Sequence, residues 1–269
     1  MKKISVLMSL YDKESPCYFD MALESLHGQK YKPDEVILVL DGPINNELYA
    51  VINKWLTILP IILVPLEKNV GLAKALNNGI QYCHYDYIAR MDTDDICNPD
   101  RFLMQINYLS DHQNIDVVGT WISEINEDNK EIRSEVRYPL THSELYDFFS
   151  KRDPLAHPTV MFRKSFFEKA GDYPIDIPLG EDTALWFSGF KNNCQFANIP
   201  YVGLKFRRAS NFYLRRANKE KTIALLKFRI SKINKELGYG LSSNIYAILY
   251  ALLAISPTFV KRLLYTYLR

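Results

Sequence analysis

The sequence predicts an α/β protein: a mostly parallel, Rossmann-like sheet with helices on both faces. Three observations carry this. Glu35-Val36-Ile37-Leu38-Val39-Leu40 is an almost unbroken apolar run, the pattern of a strand covered on both faces. Similar short runs at Ile4–Leu10, Ile61–Val64 and Tyr87–Met91 alternate with stretches whose apolar residues recur every three or four positions. Strands alternating with helices in this way imply right-handed crossovers and a doubly wound sheet.

After the run Ile4–Leu10, Ser15-Pro16 starts a helix with a hydroxyl at the N-cap and proline at the first helical position, and that helix extends to about Gly28. The strand at Glu35–Leu40 ends in the turn Asp41-Gly42-Pro43, and a helix bearing Leu48, Val51, Ile52 and Trp55 follows. Asn69-Val70-Gly71 opens a third helix with Leu72, Ala75, Leu76 and Ile80 on one face. Pro99 starts the next, with Phe102, Leu103, Ile106 and Leu109 inward. The pattern then changes. Val117–Ile122 and Lys130–Tyr138 flank Glu127-Asp128-Asn129 as a hairpin. Helices near Ser143–Phe149 and Lys164–Ala170 bracket a strand at Thr159–Phe162, and Gly180-Glu181-Asp182 precedes a helix with Leu185, Trp186 and Phe190. No Gly/Ser-rich or Pro-rich linker divides these halves, so residues 1–205 read as one domain, with an expected first half to about 115 and a second from about 116.

The 269 residues suffice for a sizeable core. The net charge of +2 conceals an asymmetry: residues 1–204 carry 19 Lys+Arg against 29 Asp+Glu, and residues 205–269 carry 14 against 2. An acidic body with a basic tail suits an anionic partner surface, membrane phosphate or nucleic acid. Cys17, Cys83, Cys97 and Cys194 lie far apart without metal-ligand spacing, so reduced cytosolic thiols are expected. The N-terminal apolar run is too short for a signal peptide and is closed by Asp12, Lys13 and Glu14; a first buried strand fits better.

Residues 206–269 read as a separate helical extension. Arg207, Arg208, Arg215, Arg216, Lys219 and Lys221 crowd together, and Ile223, Leu226, Ile230, Ile233 and Leu237 then form a stripe with Lys227, Lys232 and Lys235 outside it. Asn244–Val260 is apolar almost all round, broken by Ser256-Pro257 and followed by Lys261-Arg262. It is short for a spanning helix, which needs about 20 apolar residues, and reads as an interfacial anchor. Nucleic acid offers nothing to bury such a stretch, so the expected anionic partner is a membrane surface.

The chemistry centres on Arg90-Met91-Asp92-Thr93-Asp94-Asp95, where a strand ends in three carboxylates. In an extended chain Asp92 and Asp94 share one side and Asp95 faces away. A hard divalent cation, Mg2+ or Mn2+, is the natural occupant because it takes carboxylate oxygens and shares its remaining positions with phosphate. The alternative is a solvated acidic loop capping the next helix. In doubly wound sheets ligands bind beyond the carboxyl ends of the strands, where Asp41, Asn69 and this run all fall.

Taken together, the ordered segments Ile4-Ser5-Val6-Leu7-Met8-Ser9-Leu10-Tyr11, Asp41-Gly42, Lys68-Asn69-Val70-Gly71-Leu72-Ala73-Lys74-Ala75-Leu76-Asn77-Asn78-Gly79, Arg90–Asp95 and Gly180-Glu181-Asp182 with Leu185-Trp186 resemble family 2 glycosyltransferases of GT-A fold. The likeness is to the bacterial kind that builds O-antigen and exopolysaccharide repeat units, and it covers about residues 1–205. Ser9-Leu10 replaces a usual Pro-Val, and Leu40-Asp41 replaces a common Asp pair.

The resemblance implies roles position by position. Tyr11 lies near the base, Asp41 accepts from the uracil imide, and Lys68, Asn69 and Gly71 shape the nucleoside pocket. Asp92 contacts ribose or donor sugar, Asp94, with Asp92, holds the metal, and Asp95 contacts the donor sugar or orients the loop. Asp182 is the base that takes the acceptor proton, with Glu181 positioning the acceptor. A helix start lowers a carboxylate's pKa, and burial under an acceptor raises it again. His157 faces an acceptor or diphosphate pocket or serves as a structural donor; Trp186 is core or a sugar-stacking wall; Arg207 and Arg208 reach a diphosphate or form a solvated basic face.

The implied activity is inverting, metal-dependent transfer of glucose or galactose from a UDP-sugar to a lipid-diphosphate-linked saccharide, at the cytoplasmic face of the membrane, with peripheral attachment. Two other readings stand beside it. A sugar nucleotidyltransferase would want a Gly-rich phosphate loop, and Ser9–Pro16 contains no glycine. A degenerate, non-catalytic binding partner would tolerate loss of Asp94 or Asp182, and both are present.

Overall fold

A computed structural model describes residues 2–175, 180–208 and 219–256. Its first half follows the expected alternation: β1 (Ile4–Leu10), α1 (Pro16–His27), β2 (Glu35–Leu40), α2 (Asn46–Trp55), β3 (Ile61–Pro65), α3 (Leu72–Ile80) and β4 (Tyr87–Arg90). Ser15 caps α1, its hydroxyl accepting the N–H of Tyr18, as the Ser-Pro pair predicts. A two-residue strand β5 (Ile96–Cys97) and α4 (Arg101–Asp111) follow, and then β6 (Val117–Ile125), β7 (Glu131–Val136), α5 (His142–Phe149), β8 (Met161–Arg163), α6 (Ser165–Ala170), α7 (Glu181–Lys191) and β9 (Phe196–Arg207).

One mixed sheet runs in the order β3-β2-β1-β4-β8-β6-β9-β5, with β7 paired to β6. β1 to β4 form one parallel block, in register at Val6↔Val36 and Leu7↔Arg90, and β6 pairs parallel with β9 further along. Strand alternation then builds two cores from one sheet. Val6, Met8, Val36 and Leu38 pack under α1, α2 and α4. Leu7, Ile37, Val39 and Ile88 pack on the other face with α3, α5, α6 and α7. That is why β2 is apolar at nearly every position. With all four parallel strands pointing one way, Tyr11, Asp41 and the run after Arg90 emerge at one edge.

β8 lies antiparallel between β4 and β6, so a single sheet continues through both expected halves. The boundary expected at residue 205 falls inside β9, which pairs with β6 as far as Arg207. The Lys/Arg crowding there hid a strand whose partners lie about eighty positions away, beyond the reach of local pattern.

The described part of the extension comprises α8 (Lys219–Phe228), a π-helical turn at Arg229–Asn234 and α9 (Leu241–Ile255). The anticipated stripe is inward only in part: Ile233 is buried, Leu226, Ile230 and Leu237 are half-buried and Ile223 is exposed, while Arg229 and Asn234 of the wide turn face inward. This segment docks on the body. Arg229 donates to the Phe149 carbonyl and pairs with Asp153, both at 3.1 Å. The hydroxyls of Tyr146 and Tyr239 donate to the carbonyls of Leu237 and Tyr146. Helix α9 buries its small side, Ser243, Ala247 and Ala251, and exposes Leu241, Ile245, Ile248, Leu249 and Leu252. Among the described residues no helix is long and apolar enough to cross a membrane. Arg215, Arg216, Pro257, Val260, Lys261 and Arg262 lie outside the described residues.

Candidate active site

At the end of β2 the Asp41 carboxylate clamps the loop leading into α3. Oδ1 accepts the N–H of Val70 at 2.7 Å, and Oδ2 accepts that of Gly71 at 3.1 Å. Asn69 donates to the Asp41 carbonyl at 3.1 Å. Gly42 makes this closeness possible: its φ is +88°, and a Cβ there would sit 2.5 Å from the Asn69 nitrogen. Asp41, Asn69 and Gly71 are thus brought together, with Asp41 holding the loop just ahead of α3. Lys68 is exposed, and Tyr11 is half-buried at the end of β1.

At the end of β4 the three aspartates converge. Asp92, Asp94 and Asp95 each offer a carboxylate oxygen within 4.8 Å of the others. The expectation that Asp95 faces away is corrected: the chain leaves the strand after Arg90, and strict alternation ends with it. Asp95 is fully buried, with Oδ1 accepting the Arg207 N–H at 2.8 Å and Oδ2 without a partner among the described residues. Burial, then the neighbouring Asp94 and Asp92 charges, push its pKa well up. Burial and Asp92 push that of Asp94 up to about 6. Three hard oxygen donors, one orphaned buried oxygen and mutual repulsion fit a divalent cation.

Two cations brace this cluster. Arg90, 3% exposed, pairs with Asp92, while its Nε and Nη1 are buried without a partner among the described residues. Arg207 does not reach out toward a diphosphate: it is buried, donates from Nε to the Asp94 carbonyl at 2.8 Å, and stacks on Tyr18 with its guanidinium 3.9 Å from the ring centre. Nor is Arg208 part of a solvated basic face, because it pairs with the buried Glu124 at 2.8 Å. The partners of both belong to the aspartate loop and to β6, far off in sequence.

Across the cleft, Glu181 and Asp182 form the first turn of α7, and Asp182 Oδ1 accepts the N–H of Thr183 at 2.7 Å. Gly180 precedes them in a left-handed conformation, φ +93°, which turns the chain into the helix. Arg90, Asp92, Glu181, Asp182 and His157 line one cleft of about 670 Å³. His157 is both lining and structural: its Nε2 lies 2.8 Å from the hydroxyl of Tyr173. Burial and the nearby Arg90 hold its pKa well below the usual histidine range, so the ring is neutral. Trp186 offers no stacking face. It is fully buried, between Phe162 and Phe196 at centroid distances of 6.0 Å. It lies one turn further along α7 on the same helix face as Asp182, deeper in the aromatic core.

Sequence reasoning passed over Arg90 and Tyr173. A charged residue ending a buried strand directly before three aspartates was the available cue for Arg90. Tyr173 had none: its backbone N–H and C=O bond to the Asn77 side chain at 2.8 Å each, a tie spanning the two halves.

A sheet of this order, with acidic residues beyond β4 facing a second acidic pair at the start of α7, is the plan of a GT-A transferase. Two solved structures share the fold: TarS 1-349 of S. aureus in complex with UDP-GlcNAc (TM-score 0.63, 17% identity, 97% of this chain and 83% of that one), and the mannosyltransferase PcManGT from Pyrobaculum calidifontis in complex with GDP-Man and Mn2+ (TM-score 0.64, 17% identity, 98% and 79%). The family model for glycosyl transferase family 2 matches residues 5–171. The amylovoran biosynthesis glycosyltransferase AmsE of Erwinia amylovora is 38% identical over 263 residues, 97% of each chain. An Escherichia coli protein described as UDP-Gal:alpha-D-GlcNAc-diphosphoundecaprenol beta-1,3-galactosyltransferase is 32% identical over 234 residues, 87% of this chain and 82% of that one. The chain belongs to glycosyl transferase family 2, in the company of enzymes of exopolysaccharide and O-antigen synthesis.

Proposed function

We propose that this glycosyltransferase moves a hexose, glucose or galactose, from its UDP ester to a lipid-diphosphate-linked saccharide, with inversion and with a divalent metal. The observation that carries the reading is the facing of Asp92 and Asp182 across one cleft. Inverting transfer is a single in-line displacement: the acceptor hydroxyl oxygen bonds to the anomeric carbon as the bond to the UDP oxygen breaks. The hydroxyl proton goes to the Asp182 carboxylate, and Glu181 orients the acceptor. Asp94 with Asp92 would hold Mn2+ or Mg2+, which when bound neutralises charge on the leaving diphosphate. Arg90 fixes the Asp92 carboxylate, and Asp95 anchors the loop to β9. Asp41, Asn69 and Gly71 shape the nucleoside side, where Asp41 retains lone pairs for a uracil imide; Tyr11 and Lys68 border it.

Attachment to the inner membrane face is part of the same reading. The exposed side of α9, with Leu241, Ile245, Leu249 and Leu252, suits an in-plane apolar contact. Each nearby Lys or Arg adds about 1 kcal/mol at an anionic surface. Supporting these choices, the E. coli relative's description specifies UDP-Gal and a diphosphoundecaprenol-linked acceptor.

UDP release from a panel of UDP-sugars is the test, with a synthetic lipid-diphosphate GlcNAc or GalNAc as acceptor. Turnover is expected with UDP-glucose or UDP-galactose, only when Mn2+ or Mg2+ and the acceptor are both present. No turnover with any donor supports the non-catalytic partner instead. Removal of residues 241–269 is expected to abolish vesicle binding; unchanged binding removes the anchor from the account.

A further inference from the structure

The cleft that holds Asp182 continues past it, and its chemistry changes. Arg133, Arg137, Lys151 and Arg152 line the same cavity as Asp92 and Asp182. We propose that these four side chains are the seat of the acceptor's diphosphate. The inference rests on the lipid-diphosphate reading above and assigns residues to it.

Arg133 on β7 and Arg137 just past its end both line the cavity, with Glu135 between them. Arg137 is held ready: it pairs with Glu135 at 2.7 Å and lies over the Trp121 ring, 5.2 Å from its centre, while remaining 72% exposed. Lys151 and Arg152 come from a different element. They follow α5, and their backbone N–H groups close on the Phe148 carbonyl at 3.0 and 2.9 Å. Arg229 locks that same helix end through the Phe149 carbonyl. Two cations from each of two independently braced segments therefore converge on one space.

An anion belongs there, and its source follows from what else the cleft contains. The donor's diphosphate has its own counter-charge in the divalent cation that Asp94 and Asp92 would hold; of that cluster Asp92 alone borders this cavity, and Asp94 and Asp95 lie outside its lining. An acceptor sugar carries a nucleophilic hydroxyl and, at its anomeric carbon, a diphosphate. Acidic Glu181 and Asp182 meet the first, and guanidinium and ammonium groups meet the second. The third component is present too: Leu225, Ala247 and Tyr250 of the extension line this cleft, offering apolar contact to an isoprenoid.

The test compares Arg133→Gln/Arg137→Gln and Lys151→Gln/Arg152→Gln double variants with the unaltered protein, after thermal melts confirm folding. Acceptors are GlcNAc on a lipid diphosphate and the benzyl glycoside of GlcNAc, which has no phosphate. Each double variant is expected to raise KM for the diphosphate acceptor at least tenfold, leaving KM for the glycoside and the affinity for UDP unchanged. Equal losses on both acceptors, or none on either, overturn the seat. Farnesyl diphosphate binding, measured without donor, decides the matter separately: both double variants should weaken it at least tenfold. If they keep it but lose binding to phosphatidylglycerol vesicles, the cations face a membrane and the proposal is wrong. If the unaltered protein transfers to neither acceptor, the proposed function fails, while farnesyl diphosphate binding still judges the seat.

Discussion

The buried carboxylate of Asp95 accepts the backbone N–H of Arg207 at 2.8 Å, across 112 positions of sequence. The Arg207 side chain returns the contact by donating to the Asp94 carbonyl. The aspartate loop is thereby fastened to β9 from behind, leaving its charge directed at whatever cation enters in front.

Arg207→Met should remove that support while keeping the bulk of the side chain. Hydrogen bonds from a charged group are worth roughly 1.5–3 kcal/mol, so a stability loss of that order is expected in urea unfolding. Half-saturation for Mn2+ should rise in the same variant. Unchanged metal response would mean that the loop holds its shape unaided.

The raised pKa of Asp94 fixes a sign for pH dependence. Its folded value is about 6 against an ordinary 3.8. The stability this group contributes is full below 3.8 and is lost as pH rises through about 6. Divalent metal requires the ionised form and releases protons as it binds. The gain in Tm on adding Mn2+ to EDTA-treated protein should therefore increase from pH 5 to pH 7. Asp94→Asn should flatten both trends, as differential scanning fluorimetry can record.

Asp182→Asn should lower kcat by about 10²–10⁴-fold, the usual contribution of a general base, with UDP affinity unaltered. Glu181→Gln should act mainly on KM for the acceptor. Full turnover in Asp182→Asn would assign the base elsewhere.

Gly42→Ala puts a methyl group 2.5 Å from the Asn69 nitrogen, at a φ of +88°. Strain of this kind costs about 1–3 kcal/mol, and the Asp41 clamp on Val70 and Gly71 should loosen. Isothermal titration should find UDP binding weakened more than acceptor binding. Trp186→Phe supplies the contrast: a buried volume change lowers Tm and leaves acceptor KM where it was.

Much of the fold was legible because it depends on local pattern. The unbroken β2, the Ser15-Pro16 start and the hairpin at Asn129 each follow from a few adjacent residues. β9 was not, since its strand character comes from pairing with β6 and β5 and its basic end resembled a tail. The site divides likewise. Asp41, Asp92, Asp94, Glu181 and Asp182 stand at element ends that pattern locates. The duties of Arg207, Arg208 and Trp186 depend on what surrounds them: for Trp186 packing chose the core over a sugar-stacking wall, and for the two arginines it supplied partners distant in sequence.

By itself the sequence determined the α/β class, the strand-end edge and the carboxylates that collect there, because periodicity and chain direction suffice for those. Only the tertiary structure decided that Asp95 joins Asp92 and Asp94, that Arg90 and Arg207 brace them, and that the cleft beyond Asp182 is lined by arginine and lysine. The physical reason is that a charge is placed by its nearest partners in space, and apart from Asp92 beside Arg90 those partners come from β6, β7, β9 and the end of α5, which no local stretch of sequence brings together.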